Sequence, residues 1–130
     1  MTQNPTPEHQ TLVRALINHF RDVLGLIILS ADLPEFTSKP FSIGGHFPDI
    51  VARDPTGILN IGEAKFGDDI FSQNTKEELL EFSKQKMKTT SSLVPLHVVV
   101  YKYEEGKLIN TLNNLGLGFK IGNQIKIWTL

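Results

Sequence analysis

The chain has 130 residues, 40% of them hydrophobic and 21% charged, enough for one domain (residues 1–130) with a genuine core and too few for two. It contains no cysteine, which excludes a disulfide framework and thiolate metal sites and suits a reducing, cytoplasmic setting. The net charge of −1 argues against a globally basic nucleic-acid binder while leaving room for a local basic strip, and neither a membrane-spanning run nor a secretory signal is visible.

Residues 1–6 are polar and expected to fray. Thr6-Pro7 offers an N-cap followed by proline at the first helical position. Leu12, Val13, Leu16, Ile17, Phe20, Val23 and Leu24 recur at helical spacing, which predicts an amphipathic helix over 7–24 that Gly25 ends. Glu8 falls on or near the apolar face, and as a first-turn carboxylate it also suits the helix dipole. Leu26 to Leu29 reads as the first strand. Residues 32–40 form a loop broken by Pro34 and Pro40 and carrying Glu35, Phe36 and Lys39. Phe41-Ser42-Ile43 is too short to assign. Gly44-Gly45-His46 comes next, where glycines let the backbone approach a ligand; His46 is either a site residue or a partly exposed structural histidine.

Two short strands, 47–52 and 61–65, follow, reversed by Arg53-Asp54-Pro55-Thr56-Gly57. Side chains alternate across a sheet, so Glu63 and Lys65 share a face with Ile61 while Gly62 and Ala64 take the other. Asp49 shares a face with Val51 on the neighbouring strand. The hairpin therefore predicts adjacent antiparallel strands with Asp49 and Glu63 facing one pocket and Lys65 one step beyond. Two carboxylates and an ammonium at the edge of an apolar sheet point to a divalent-metal site.

Phe66-Gly67-Asp68-Asp69 reads as a turn, with Asp68 and Asp69 either turn formers or extra metal ligands. Thr75-Lys76-Glu77-Glu78 has the form of a capping box, predicting a helix from Thr75 to about Lys88. Gln85 and Lys86 lie at the edge of its apolar stripe, and Lys84, Lys86 and Lys88 suit a helix C-terminus. Residues 95–101 form the strongest strand, apolar enough to be buried on both faces. Glu105-Gly106-Lys107 reads as a polar turn before a short helix over 107–115. Residues 119–121 and 124–128 read as a terminal hairpin. Its Ile125, Ile127 and Trp128 require cover from the chain's own helix or from a second subunit. The sum is an α/β fold with a mixed sheet flanked by helices.

Pro48-Asp49 followed by Glu63-Ala64-Lys65 resembles the PD-(D/E)xK signature of the restriction-endonuclease-like nucleases, nearest in flavour to the small Holliday-junction resolvases and related repair and recombination nucleases. The resemblance covers most of the chain in layout and about five residues in identity. It implies an αβββαβ core and Mg²⁺-dependent hydrolysis of DNA phosphodiesters, with Mn²⁺ as substitute. It also implies that Asp49, Glu63 and the backbone carbonyl of Ala64 bind the metal and that Lys65 sits beside the attacking water. Glu8 and Gln85 are implied as accessory site residues, and Lys39, His46 and Lys86 as candidate DNA contacts. Cutting both strands needs a second site, so a homodimer is expected. A regulatory module on the same fold, or a subunit of a larger protein partner, is the alternative. No P-loop, zinc motif, dinucleotide fingerprint or serine–histidine triad pattern competes with this reading.

Overall fold

The computed structural model describes residues 6–130; the polar start expected to fray lies outside them up to residue 5. Helix α1 spans Pro7–Asp22, with Thr6 accepting from the His9 backbone N–H and Pro7 opening the first turn. It stops two residues short of the expected end, and Gly25, at φ +66°, turns the chain. Strand β1 (Ile27–Ala31) pairs antiparallel with β2 (Ile50–Arg53), and β2 pairs antiparallel with β3 (Leu59–Ala64). The short helix α2 (Gln73–Phe82) then crosses to β4 (Leu96–Val100), parallel to β3, and α3 (Glu105–Asn114) crosses to β5 (Ile125–Thr129), parallel to β4. The result is one open five-stranded mixed sheet in the order β1-β2-β3-β4-β5.

The sheet separates two apolar cores. On one side Leu12, Leu16 and Phe20 of α1 pack on Ile50, Ala52, Ala64 and Val99. On the other, Leu79 and Phe82 of α2 and Leu108 and Leu112 of α3 pack on Ile61, Leu96, Val98 and Ile125. The period-two alternation along β4 places Val98 and Val99 in opposite cores, as a strand buried on both faces requires. No helix among the described residues is long and apolar enough to cross a membrane.

Gly62 sits where α1 presses on β3. A Cβ there would stand 3.0 Å from Ile50 Cβ and 3.1 Å from Leu16 Cδ2. Ile50 is its cross-strand partner and cannot retreat without moving β2. Gly62→Ala is therefore expected to cost about 1–3 kcal/mol by overpacking, read as a lower urea midpoint at unchanged slope. A midpoint equal to that of the wild type would show that α1 is free to shift.

Three expectations change. The helix predicted over 75–88 is shifted: Ser72, not Thr75, is the N-cap, accepting from Thr75 N–H at 3.1 Å, and the helix ends at Phe82. Residues beyond it turn back on themselves, with Lys86 bridging Leu93. Glu105-Gly106-Lys107 is the first turn of α3 and not a loop. The terminal hairpin is absent: residues Gly118–Lys120 form one 3₁₀ turn, and β5 extends the sheet in parallel. Parallel pairing buries Ile125 under α3 and sends Trp128 to the α1 side, where no hairpin register would satisfy both. Phe41-Ser42-Ile43 is not a strand; Ile43 makes a single bridge to His46.

Trp128 finds its cover within the chain. Its ring lies 4.1 Å from that of His19 on α1, and its indole N–H donates to His97 Nδ1 at 2.9 Å. Indole is a donor only, so His97 Nδ1 is the acceptor and the proton sits on Nε2, which donates to Asn60 Oδ1 at 2.8 Å. Burial, helped by His19 and Lys126, pushes the His97 imidazole down to about 4. A free histidine titrates near 6.5, so between these values the unfolded chain binds the extra proton. The contribution of His97 to stability is expected to be constant above pH 6.5 and to fall as pH drops from 6.5 toward 4, by about 3 kcal/mol over the window. His97→Gln, which keeps one donor and one acceptor, should flatten that slope in urea melts at stepped pH. An unchanged slope would place the acid sensitivity elsewhere.

Candidate active site

The register Ile50↔Gly62 brings the residues just past it, Asp49 and Glu63, side by side. Asp49 precedes β2 and has its backbone N–H bound to Glu63 Oε1 at 2.9 Å. Its own Oδ2 accepts from the Ala64 backbone N–H at 2.9 Å and from His9 Nε2 at 3.1 Å. The two carboxylates are thus cross-linked at the C-terminal end of β3, the strand that is antiparallel to one neighbour and parallel to the other. In open α/β sheets the carboxyl ends of strands are where ligands bind.

Lys65 follows directly and enters a carboxylate cage. Its Nζ donates to Glu78 Oε1 at 2.6 Å and lies 3.5 Å from both Glu63 Oε2 and Asp69 Oδ2. Burial pulls the Lys65 ammonium down, but Glu63, Glu78 and Asp69 outweigh it and hold the pKa above that of a free lysine. Glu63 moves the opposite way from an ordinary ion-paired acid. Complete burial and the charges of Asp49 and Glu78 push its carboxyl well up, against the pull of Lys65 and the Asp49 N–H. Burial likewise lowers His9, but its hydrogen bond to Asp49 and that residue's charge leave the net pKa raised.

Charge decides what the cluster needs. Asp49, Glu63 and Glu78 are 1%, 0% and 0% exposed, and Lys65 is 3% exposed. Three buried carboxyls face one buried ammonium and the buried imidazole of His9, so with all carboxyls ionised the excess is two negative charges when His9 is neutral and one when it is protonated. Glu63 Oε2 and Glu78 Oε2 are both buried without a hydrogen bond. A hard divalent cation matches that deficit and those oxygens. Among the described residues no three of His, Asp or Glu are arranged to hold a metal. Mg²⁺, however, is commonly held by only one or two carboxylates, with waters and phosphates completing its shell. The donors present therefore fit Mg²⁺ in type and charge.

The remaining expected site residues fall elsewhere. Glu8 is on the exposed side of α1, its carbonyl accepting from the Tyr101 hydroxyl at 3.4 Å; one residue of helical rotation, 100°, gives the inward place to His9. Gln85 and Lys86 lie past the end of α2, Gln85 bonding the Glu81 carbonyl at 3.0 Å and Lys86 exposed. The early helix stop takes both off the face of α2 that carries Glu78. Lys39 donates to the Leu33 carbonyl within its own loop. His46 turns its ring edge-on to Phe82, 6.3 Å away. Asp68 is exposed, while Asp69 accepts from Ser72 at 2.9 Å and meets Lys65.

His9 and Glu78 are the members that the sequence analysis passed over. His9 precedes Leu12, Val13 and Leu16 by three, four and seven residues, and so belongs to the apolar stripe of α1. Glu78 follows Thr75 by three residues and precedes Phe82 by four, and so belongs to the buried face of α2. A polar residue within an apolar helical stripe is the signal that would have found both. Comparison of the chain with protein-family models, with curated proteins and with solved structures found no match.

Proposed function

We propose that the protein is a metal-dependent DNA endonuclease with a restriction-endonuclease-like fold. The carrying observation is the cluster itself: Asp49 and Glu63 locked together at the end of β3, with a third buried carboxyl, Glu78, and a caged ammonium beside them. The order of elements, α1, then three antiparallel strands, then α2 and parallel β4, supports the αβββαβ assignment.

In this reading Asp49 and Glu63 hold the metal, with the Ala64 backbone carbonyl as a further ligand. Mg²⁺, when bound, polarises a phosphoryl oxygen and lowers the pKa of its water. Lys65 acts as a fixed positive charge. Its raised pKa makes it a poor base, so it stabilises the negative charge that develops on the phosphate. Glu78 and Asp69 hold Lys65 in place, and His9 fixes the Asp49 carboxylate. A homodimer would supply the second site needed to cut both strands.

The test is cleavage of linear, flap and four-way-junction DNA in Mg²⁺, in Mn²⁺ and in EDTA. Cutting that EDTA abolishes is the expected result. The burial of Asp49 and Glu63 favours one other reading, a regulatory DNA-binding or protein-binding module whose cluster stays closed. Binding without cutting in either metal, together with no thermal shift on Mn²⁺ addition, would select it.

A further inference from the structure

A separate cleft of 490 Å³ opens on the α2/α3 side of β3, past the end of α2. That volume lies in the range of small-molecule sites, about 300–1,000 Å³. Its floor is apolar, made by Leu59, Ile61 and Val94. Two short hydrogen-bonded reversals form its walls. In the first, Ile43 and His46 exchange backbone bonds of 2.7 and 3.1 Å across Gly44 and Gly45, whose φ values of +60° and +85° suit a two-residue turn of the tight hairpin type. In the second, Val94 N–H donates to the Gln85 carbonyl and Met87 N–H to that of Ser92, at 2.9 and 2.8 Å. Both walls are thus preset.

We propose that this cleft takes an unpaired base of the DNA strand, with Lys86 and Lys88 on the flanking phosphates. The inference rests on the nuclease reading for its choice of nucleic acid. Phe41 stands at the cleft with 53% of its surface exposed, an unpartnered ring of the kind on which bases stack regardless of sequence. Both charged residues lining the cleft, Lys86 and Lys88, are cations, complementary to a phosphate backbone and mismatched to a neutral metabolite. The cleft also lies on the side of β3 that carries the proposed site: Ile61 of its floor is two residues before Glu63 on the same strand face. A duplex keeps its bases stacked inside, so only a single-stranded segment or a splayed end fills an apolar cleft of this kind. The substrate class is therefore DNA with an unpaired segment beside the scissile bond.

The experiment is fluorescence anisotropy in EDTA, where no cutting occurs, with a single strand, a flap duplex and a blunt duplex of one sequence. The wild type is expected to bind strand and flap more tightly than blunt duplex. Phe41→Ala should weaken strand and flap about tenfold and leave the blunt duplex unchanged. Lys86→Ser with Lys88→Ser should lower the salt slope on single strands by about 1.4. Near-UV circular dichroism checks that these exposed substitutions leave the fold intact. Equal binding of all three DNAs by the wild type, unchanged binding by Phe41→Ala, or tighter binding of an acidic peptide than of DNA would each overturn the proposal. The two readings fail separately. A protein that shows the expected binding but never cuts in Mg²⁺ keeps this cleft and loses the nuclease assignment. One that cuts, with Phe41→Ala indistinguishable from wild type, loses the cleft alone.

Discussion

Asp49→Asn is expected to lower Mg²⁺-dependent cleavage by about 10²–10⁴-fold while leaving the fold intact. A metal acting on a phosphoryl group contributes several kcal/mol to transition-state stabilisation, and each 1.36 kcal/mol is a factor of ten in rate. The amide keeps an oxygen where Asp49 Oδ2 accepts from the Ala64 N–H and from His9, so the local geometry has a replacement for both bonds. It removes one of the charges that push the buried Glu63 carboxyl up. Stability without metal should therefore be unchanged or raised, and stabilisation by added Mg²⁺ should shrink. DNA affinity should persist, since phosphate contacts away from the cluster carry most of it. The measurements are initial cleavage rate, thermal midpoint with and without Mg²⁺, and DNA affinity at fixed salt. Undiminished cutting by the variant would place the chemistry outside this cluster.

The core of this arrangement was legible because it is local. Pro55-Thr56-Gly57 and the flanking apolar runs define a hairpin, and period-two alternation then places Glu63 and Lys65 on one face. The strand run from Leu96 to Val100 announced burial on both sides by its continuous apolar character. What escaped depended on partners distant in sequence. Thr75 and Glu78 have the spacing of a capping box, yet Ser72 caps the helix and leaves Glu78 free to reach Lys65, thirteen residues back. Capping patterns compete locally, and tertiary burial decided between them. The last strand was misread for a similar reason. Gly122-Asn123 has hairpin chemistry, but Ile125 and Trp128 gain more by joining opposite cores beside β4 than by pairing with residues 119–121. Glu8 and His9 show how little separates a right reading from a wrong one, since one step along a helix exchanges the core for solvent.

Removing either partner of the Lys65–Glu78 pair is expected to cost far more than removing both. The pair is closed to solvent on both sides and bonded at 2.6 Å, so neither charge has water to fall back on. Breaking a buried pair by deleting one member typically costs about 3–5 kcal/mol, whereas replacing both by apolar residues is often close to neutral. Glu78→Leu strands the ammonium with Glu63 and Asp69 at 3.5 Å, neither of them hydrogen-bonded to it. Lys65→Met does the reverse and leaves Glu63 and Glu78, both fully buried, without their shared cation. The double variant removes one charge of each sign and leaves Asp49 and Glu63 where they were. Its loss of stability should be smaller than either single loss, and so smaller than their sum by at least about 3–5 kcal/mol, the size of one single loss. Urea unfolding of the four proteins at one pH closes the cycle. Strictly additive losses, or single losses below about 1 kcal/mol, would mean that Lys65 is solvated and not caged, and its assignment as a fixed charge beside the metal would fall with that result.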